Sequence, residues 1–153
     1  MIILGIDPGT ARLGYGVIEA SARSVQAVEY GCVETPKEWK AAERLLFLRK
    51  ELEKIIQKHR PERVGVEKLF FSKNSKTALG VGEARGVVLA CVAGAGIVVC
   101  EMTPMQVKNA VTGYGLADKK QMQKMVQMIF KLREIPKPDD AADALAIALC
   151  ASR

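Results

Sequence analysis

Acids occupy three places in this 153-residue chain where a strand should stop or a helix begin. Asp7 follows the apolar run IILGI, Glu67 falls in VGVEKL, and Asp139, Asp140 and Asp143 open the alanine-rich stretch PDDAADALAIALC. Carboxylates brought together repel one another unless they are protonated or neutralised by cations. The single histidine, His59, is not among them. A hard cation with oxygen ligands, Mg²⁺ or Mn²⁺, therefore suits such a set. An ion held there activates water and stabilises the leaving oxygen of a phosphodiester. The same acids also read as a strand end, a sheet edge and a capped helix, and spacing leaves both readings open. It also leaves open which aspartate faces inward, because Asp139 and Asp140 each lie about one helical turn from Asp143.

The chemistry needs elements that bring these acids together. Ile2–Ile6 is a short apolar strand, DPGTARLG is turn-rich, YGVIEA is a second strand, and Val25–Thr35 alternates as a third. Their short connections predict an antiparallel meander. Ala41–Arg60 carries Leu45, Leu48, Leu52, Ile55 and Ile56 at helical spacing, and Pro61 closes it. Arg63–Leu69 is a fourth strand reached across that helix, which favours parallel pairing with the first. Asn74–Ala93 reads as a glycine-containing helix and GIVVCE as a fifth strand. Helices over Pro104–Val111, Asp118–Leu132 and from Asp139 onward complete the chain. The prediction is one α/β domain over residues 1–153: a five-stranded mixed sheet, three antiparallel strands then parallel ones, flanked by helices. Asp7 and Glu67 should then emerge side by side at the carboxyl ends of strands, where open α/β sheets bind ligands.

Composition narrows the partners. The net charge of +6 and isoelectric point near 9.2 favour a polyanion. Cys32, Cys91, Cys100 and Cys150 form no CxxC pair, which argues against structural zinc and suits a reducing cytosol. MIILGID is too short and too quickly charged for a signal peptide, and the uncharged stretch Gly86–Cys100 falls short of the ~20 residues a membrane span needs. A DxGT turn also begins the sugar kinase and actin-like ATPases, but those need two such domains. Nothing resembles a P-loop, so no nucleotide is expected.

Taken in order, GIDPGTARLGYGVI, VGVEKLFFSKNSKTALGVGEARG, QVKNAVTGYGLADKKQMQKMV and DDAADALAIA resemble the RuvC family of Holliday junction resolvases over nearly the full length. The resemblance implies a ribonuclease H-like fold, a homodimer, and Mg²⁺-dependent cleavage of four-way DNA junctions, with Mn²⁺ able to substitute. It also implies cooperation with the RuvA–RuvB branch-migration machine in recombinational repair in the bacterial cytoplasm. By motif it assigns Asp7, Glu67, Asp140 and Asp143 to catalysis and to binding two metal ions. The expected product is a pair of symmetric, ligatable nicks with 5′-phosphates. Asp139 is left as the helix cap.

The same resemblance assigns DNA contacts. Phe70 falls where the family stacks an aromatic on bases at the junction centre, with Phe71 an added aromatic beside it. Lys108 and Lys119 fall at basic positions near the scissile phosphate. Lys120 joins them, and Lys73, Lys76 and Arg85 extend the track; Lys124 and Lys131 read as a solvated face. Gly80, Gly82 and Gly86 suit the family's dimer contact. His59 favours a helix dipole, and Trp39 packing. Two rival readings are a YqgF-type RNA-processing nuclease of the same fold and a non-catalytic junction-binding protein. Intact acids at all four positions speak against the second.

Overall fold

The structure, a computed structural model, describes residues 1–69 and 75–153, with side chains for all of these except residues 75–77. Strand β1 (Ile2–Asp7) is apolar on both faces because it lies at the centre of the sheet. Leu4 and Ile6 enter one core and Ile3 the other. Strand β2 (Arg12–Ala20) returns antiparallel to it, and β3 (Val25–Glu34) pairs antiparallel with β2. On the other side β4 (Arg63–Glu67) and β5 (Val98–Met102) run parallel, giving the order β3-β2-β1-β4-β5. This is the predicted mixed sheet, and α1 (Ala41–His59) is the crossover that makes β1 and β4 parallel.

Helices α1 and α2 (Ser75–Gly94) cover one face. Helix α1 buries Leu48, Leu52, Ile55 and Ile56, and ends where Arg60 turns left-handed and donates its N–H to the Ile56 carbonyl. The other face carries α3 (Pro104–Thr112), α4 (Lys119–Ile129) and α5 (Asp139–Ala151). Thr103 and Asp118 cap α3 and α4 through reciprocal bonds with Gln106 and Gln121. Helix α4 stops three residues short of the expected Leu132, and β4 stops two short of Leu69. The Lys68 N–H still reaches the Met102 carbonyl at 2.8 Å, so pairing with β5 outlasts the strand.

Helix α5 lies almost directly on the strands. A Cβ at Gly5 would sit 2.1 Å from the Ala144 carbonyl oxygen, and one at Gly14 2.2 Å from that of Asp140. Only glycine on the sheet and small residues on the helix permit this approach. That accounts for the alanine-rich sequence of α5, which buries Ala141, Ala142, Ala144, Ala146, Ala148 and Ala151 beside Leu145, Ile147 and Leu149. The close seating carries the first turn of α5 to the end of β1.

Candidate active site

Asp7 is the last residue of β1, paired with Gly14 across the β1–β2 hairpin. Ile6 lies opposite Val66, so the next step of the parallel register sets Asp7 beside Glu67, the last residue of β4. The turn after Asp7 is fixed from β3's end: the buried Thr35 hydroxyl donates to the Thr10 carbonyl at 2.7 Å, and the Thr35 N–H to that of Ala11 at 3.0 Å. Helix α5 brings Asp140 over Gly14, and Asp143 one turn on.

Asp7, Glu67 and Asp143 line one pocket of about 230 Å³ with Lys108 and Lys119, over an apolar floor of Val107, Met122, Ala146 and Ile147. Asp140 stands at its rim, 3.7 Å from Arg12. Larger grooves exist, one of about 520 Å³ between α1 and α2. Its carboxylate, Glu53, is bound to Arg49 at 2.8 Å, whereas the smaller pocket gathers Asp7, Glu67 and Asp143.

Burial and mutual repulsion set the protonation of these acids. Burial, then Asp143, Asp140 and Glu67, push the Asp7 carboxyl from 3.8 up to about 7, against a smaller pull from Lys119. Burial and Asp143 raise Glu67, with Lys108 opposing. Burial also raises Asp143, opposed by Lys119. Near neutral pH, protons and lysines do part of the neutralising that cations would do. Lys119 pairs with Asp139 and lies 3.8 Å from Asp143.

The donor set fits a hard divalent cation in kind: it is all oxygen, with no thiol or imidazole. Among the described residues no group of three or more acids, histidines or cysteines already stands in an ion-holding constellation. Lys119 lies 3.8 Å from Asp143 and Arg12 3.7 Å from Asp140, so an ion bound among these acids would compete with both cations.

Two sequence readings are corrected and a third is extended. Asp139 is not the helix cap: Pro138 holds that position with no side-chain bond, and Asp139 is the first helical residue, its carboxyl lowered by Lys119. Arg85 does not extend a phosphate track. Its Nε donates to the Glu67 carbonyl at 3.2 Å and its fork pairs with Glu101, tying α2 to the ends of β4 and β5. His59 does more than oppose a helix dipole: its Nε2 lies 2.9 Å from Glu29, which also holds Lys58 at 2.5 Å and the Tyr15 hydroxyl at 3.2 Å. Lys108 lines the pocket and Lys120 is exposed at the start of α4. Trp39 packs edge-on against Phe47. Phe70, Phe71, Lys73 and the Lys76 side chain lie outside the described residues. Arg12 was missed, although its place in DPGTARLG, five residues after Asp7, was a usable signal.

Strand order, crossover and an acidic pocket at the strand ends define a ribonuclease H-like α/β nuclease domain. A family model, crossover junction endodeoxyribonuclease RuvC, matches residues 3–151. The chain belongs to the RuvC family of crossover junction endodeoxyribonucleases. The RuvC of Desulfitobacterium hafniense is 55% identical over 150 residues, covering 98% of this chain and 91% of that one. The RuvC of Syntrophomonas wolfei is 51% identical, covering 98% and 87%. Thermus thermophilus RuvC, solved in complex with a Holliday junction substrate, aligns with TM-score 0.88 and 36% identity over 98% of this chain and 92% of that one. The yeast mitochondrial Holliday junction resolvase Ydc2 aligns with TM-score 0.70 over 98% of this chain and 77% of its own, and at 14% identity it shows the fold alone. These matches fit the junction nuclease and not the RNA-processing alternative.

Proposed function

We propose that this protein resolves four-way DNA junctions by paired, symmetric phosphodiester hydrolysis, leaving ligatable 5′-phosphate nicks, in recombination and repair. The observation that carries the proposal is the convergence of Asp7, Glu67 and Asp143 in one pocket, with Asp140 at its rim, in a chain of this family. These four acids would hold Mg²⁺ or Mn²⁺, about two ions per site as in two-metal nucleases. Bound there, the ions supply a nucleophilic water and charge stabilisation at the phosphate. The chain's own residues do the rest. Asp7, its carboxyl raised to about 7, would give up its proton where an ion is held, and Glu67 and Asp143 would supply further oxygen ligands. Lys108 and Lys119 line the same pocket and orient the scissile phosphate, with Lys120 beside them on the outer surface. Phe70 or Phe71 stacks on opened bases, and Lys73 and Lys76 hold the backbone next to them.

Two copies are needed for two symmetric cuts. Of the glycines expected at a dimer contact, Gly80 faces Thr10 and Gly82 faces Leu69 within the chain, while Gly86 is exposed and continues with Ala90 and Gly94 at four-residue spacing along the outer side of α2. Within the described chain nothing lies within 4 Å of a Cβ placed at Gly86 or Gly94. Residues 1–153 act as a single nuclease domain, handed junctions by RuvA–RuvB in the bacterial cytoplasm. No helix among the described residues is long and apolar enough to cross a membrane.

The test is a substrate panel: mobile four-way junction, linear duplex and structured RNA, each with Mg²⁺. Paired symmetric nicks on the junction alone are expected. Tight junction binding without nicks at any divalent-ion concentration would sink the enzyme, and preferential RNA cutting would revive the rival nuclease.

A further inference from the structure

The connection between α3 and α4 leads straight from the acidic pocket. Lys108 precedes it and Lys119 follows it, and both line the pocket. Between them Tyr114 is 57% exposed and Leu116 72%, with Met105 of α3 at 58%. Gly115 presses onto α3 so closely that a Cβ there would meet Met105 Cγ at 2.8 Å and the Asn109 side chain at 3.2 Å. Tyr114 and Leu116 therefore stand on either side of the residue that meets Met105. Isolated exposed apolar residues need no explanation, but a group of them beside a site does.

The backbone under this group is well tied. Gly113 turns left-handed and donates its N–H to the Asn109 carbonyl at 2.9 Å. The Tyr114 N–H donates to the Thr112 hydroxyl oxygen at 3.0 Å. The Tyr114 carbonyl lies 2.9 Å from that hydroxyl and accepts the Ala117 N–H at 3.1 Å. Ala117 is itself buried. Asp118, the one acid of the segment, turns away to cap α4. The fold thus orders the backbone on both sides of an aromatic ring and leaves the ring in solvent. A ring presented in this way loses little freedom on binding.

We infer that Tyr114, supported by Met105 and Leu116, is a nucleotide-packing contact for the DNA strand entering the acidic pocket. The flanking Lys108, Lys119 and Lys120 favour a phosphodiester partner over an apolar protein surface. An aromatic face accepts any base, so the contact anchors an unpaired or unstacked nucleotide without reading its identity. The inference rests on the junction-nuclease reading of the pocket.

Tyr114→Ala and Tyr114→Phe test it, measured by fluorescence anisotropy on a four-way junction and by quenching of 2-aminopurine placed beside the cleavage position. Alanine should weaken binding roughly five- to a hundredfold, the range for loss of one base-stacking aromatic. It should abolish the quenching and leave the salt dependence unchanged, because no charge is lost. Phenylalanine should restore both signals. Leu116→Ala gives a second reading at the same contact, with a smaller loss, and urea unfolding checks that each variant folds. Wild-type affinity and quenching in both alanine variants would overturn the inference. So would unchanged DNA binding with lost stimulation by a branch-migration protein, which would make the patch a protein contact. An inactive wild-type protein would instead sink the nuclease reading.

Discussion

Asp7→Asn should make the metal-free protein more stable as pH rises. The Asp7 carboxyl ordinarily titrates at 3.8 and in the fold at about 7. Between those values the folded chain holds a proton that the unfolded chain has lost. Stability therefore falls as pH climbs through this window and levels off above it. At about 1.4 kcal/mol per tenfold, ionising Asp7 in its buried place costs about 4 kcal/mol. Asparagine keeps the shape and removes the charge, and it also relieves Glu67 and Asp143 of one repelling neighbour. With a chelator present, the variant should match wild type near pH 4 and exceed it by about 4 kcal/mol at pH 9, or roughly 8–16 °C in Tm for a chain of this size. Adding Mg²⁺ should reverse the order, because ion binding stabilises only the protein that binds it. Thermal and urea unfolding from pH 4 to 9 reads this directly. A difference that does not grow with pH, or a variant less stable at pH 9, would refute the reasoning that Asp7 is buried among mutually repelling acids.

Asp140→Asn should abolish junction cutting, while Asp139→Asn should hold single-turnover cutting within about threefold, since Asp139 does not line the pocket and its ion pair with Lys119 is exposed. Arg85→Gln should cost roughly 1–3 kcal/mol in urea unfolding, the range for a hydrogen-bonded charge, and leave the salt dependence of junction binding unchanged; a phosphate contact would instead lower that slope by about one. Gly5→Ala should destabilise the fold by about 3 kcal/mol or more, because the new Cβ meets the α5 backbone and must push the helix away. A circular-dichroism melt that matches wild type would show that α5 does not depend on this close approach.

The sheet was legible because its signals are local. Short turns join Ile2–Asp7, Arg12–Ala20 and Val25–Glu34, and the helical spacing of Leu48, Leu52 and Ile55 marks a crossover. Strand pairing then follows from chain geometry, and with it the adjacency of Asp7 and Glu67. Less of the site was legible, because its finer features are pairings between distant segments. Nothing in ADKKQ announces that Lys119 meets Asp139, or that Arg85, one cation among many, turns inward to Glu101. Asp139 resembled a cap by residue type, yet the helix already starts there after Pro138. The need for glycine at Gly5 and Gly14 comes from the α5 backbone pressed against them, a contact with a distant part of the chain.

The proposed nuclease depends on divalent ions held by the four carboxylates. Mn²⁺ occupancy by electron paramagnetic resonance on the junction-bound protein, paired with cleavage in Mg²⁺, tests this. Wild type should take up about two ions per chain and cut. Asp7→Asn and Asp143→Asn should keep junction affinity while losing ion occupancy and cutting together. Cutting at the wild-type rate by either variant, or full ion occupancy without the acids, would contradict the account.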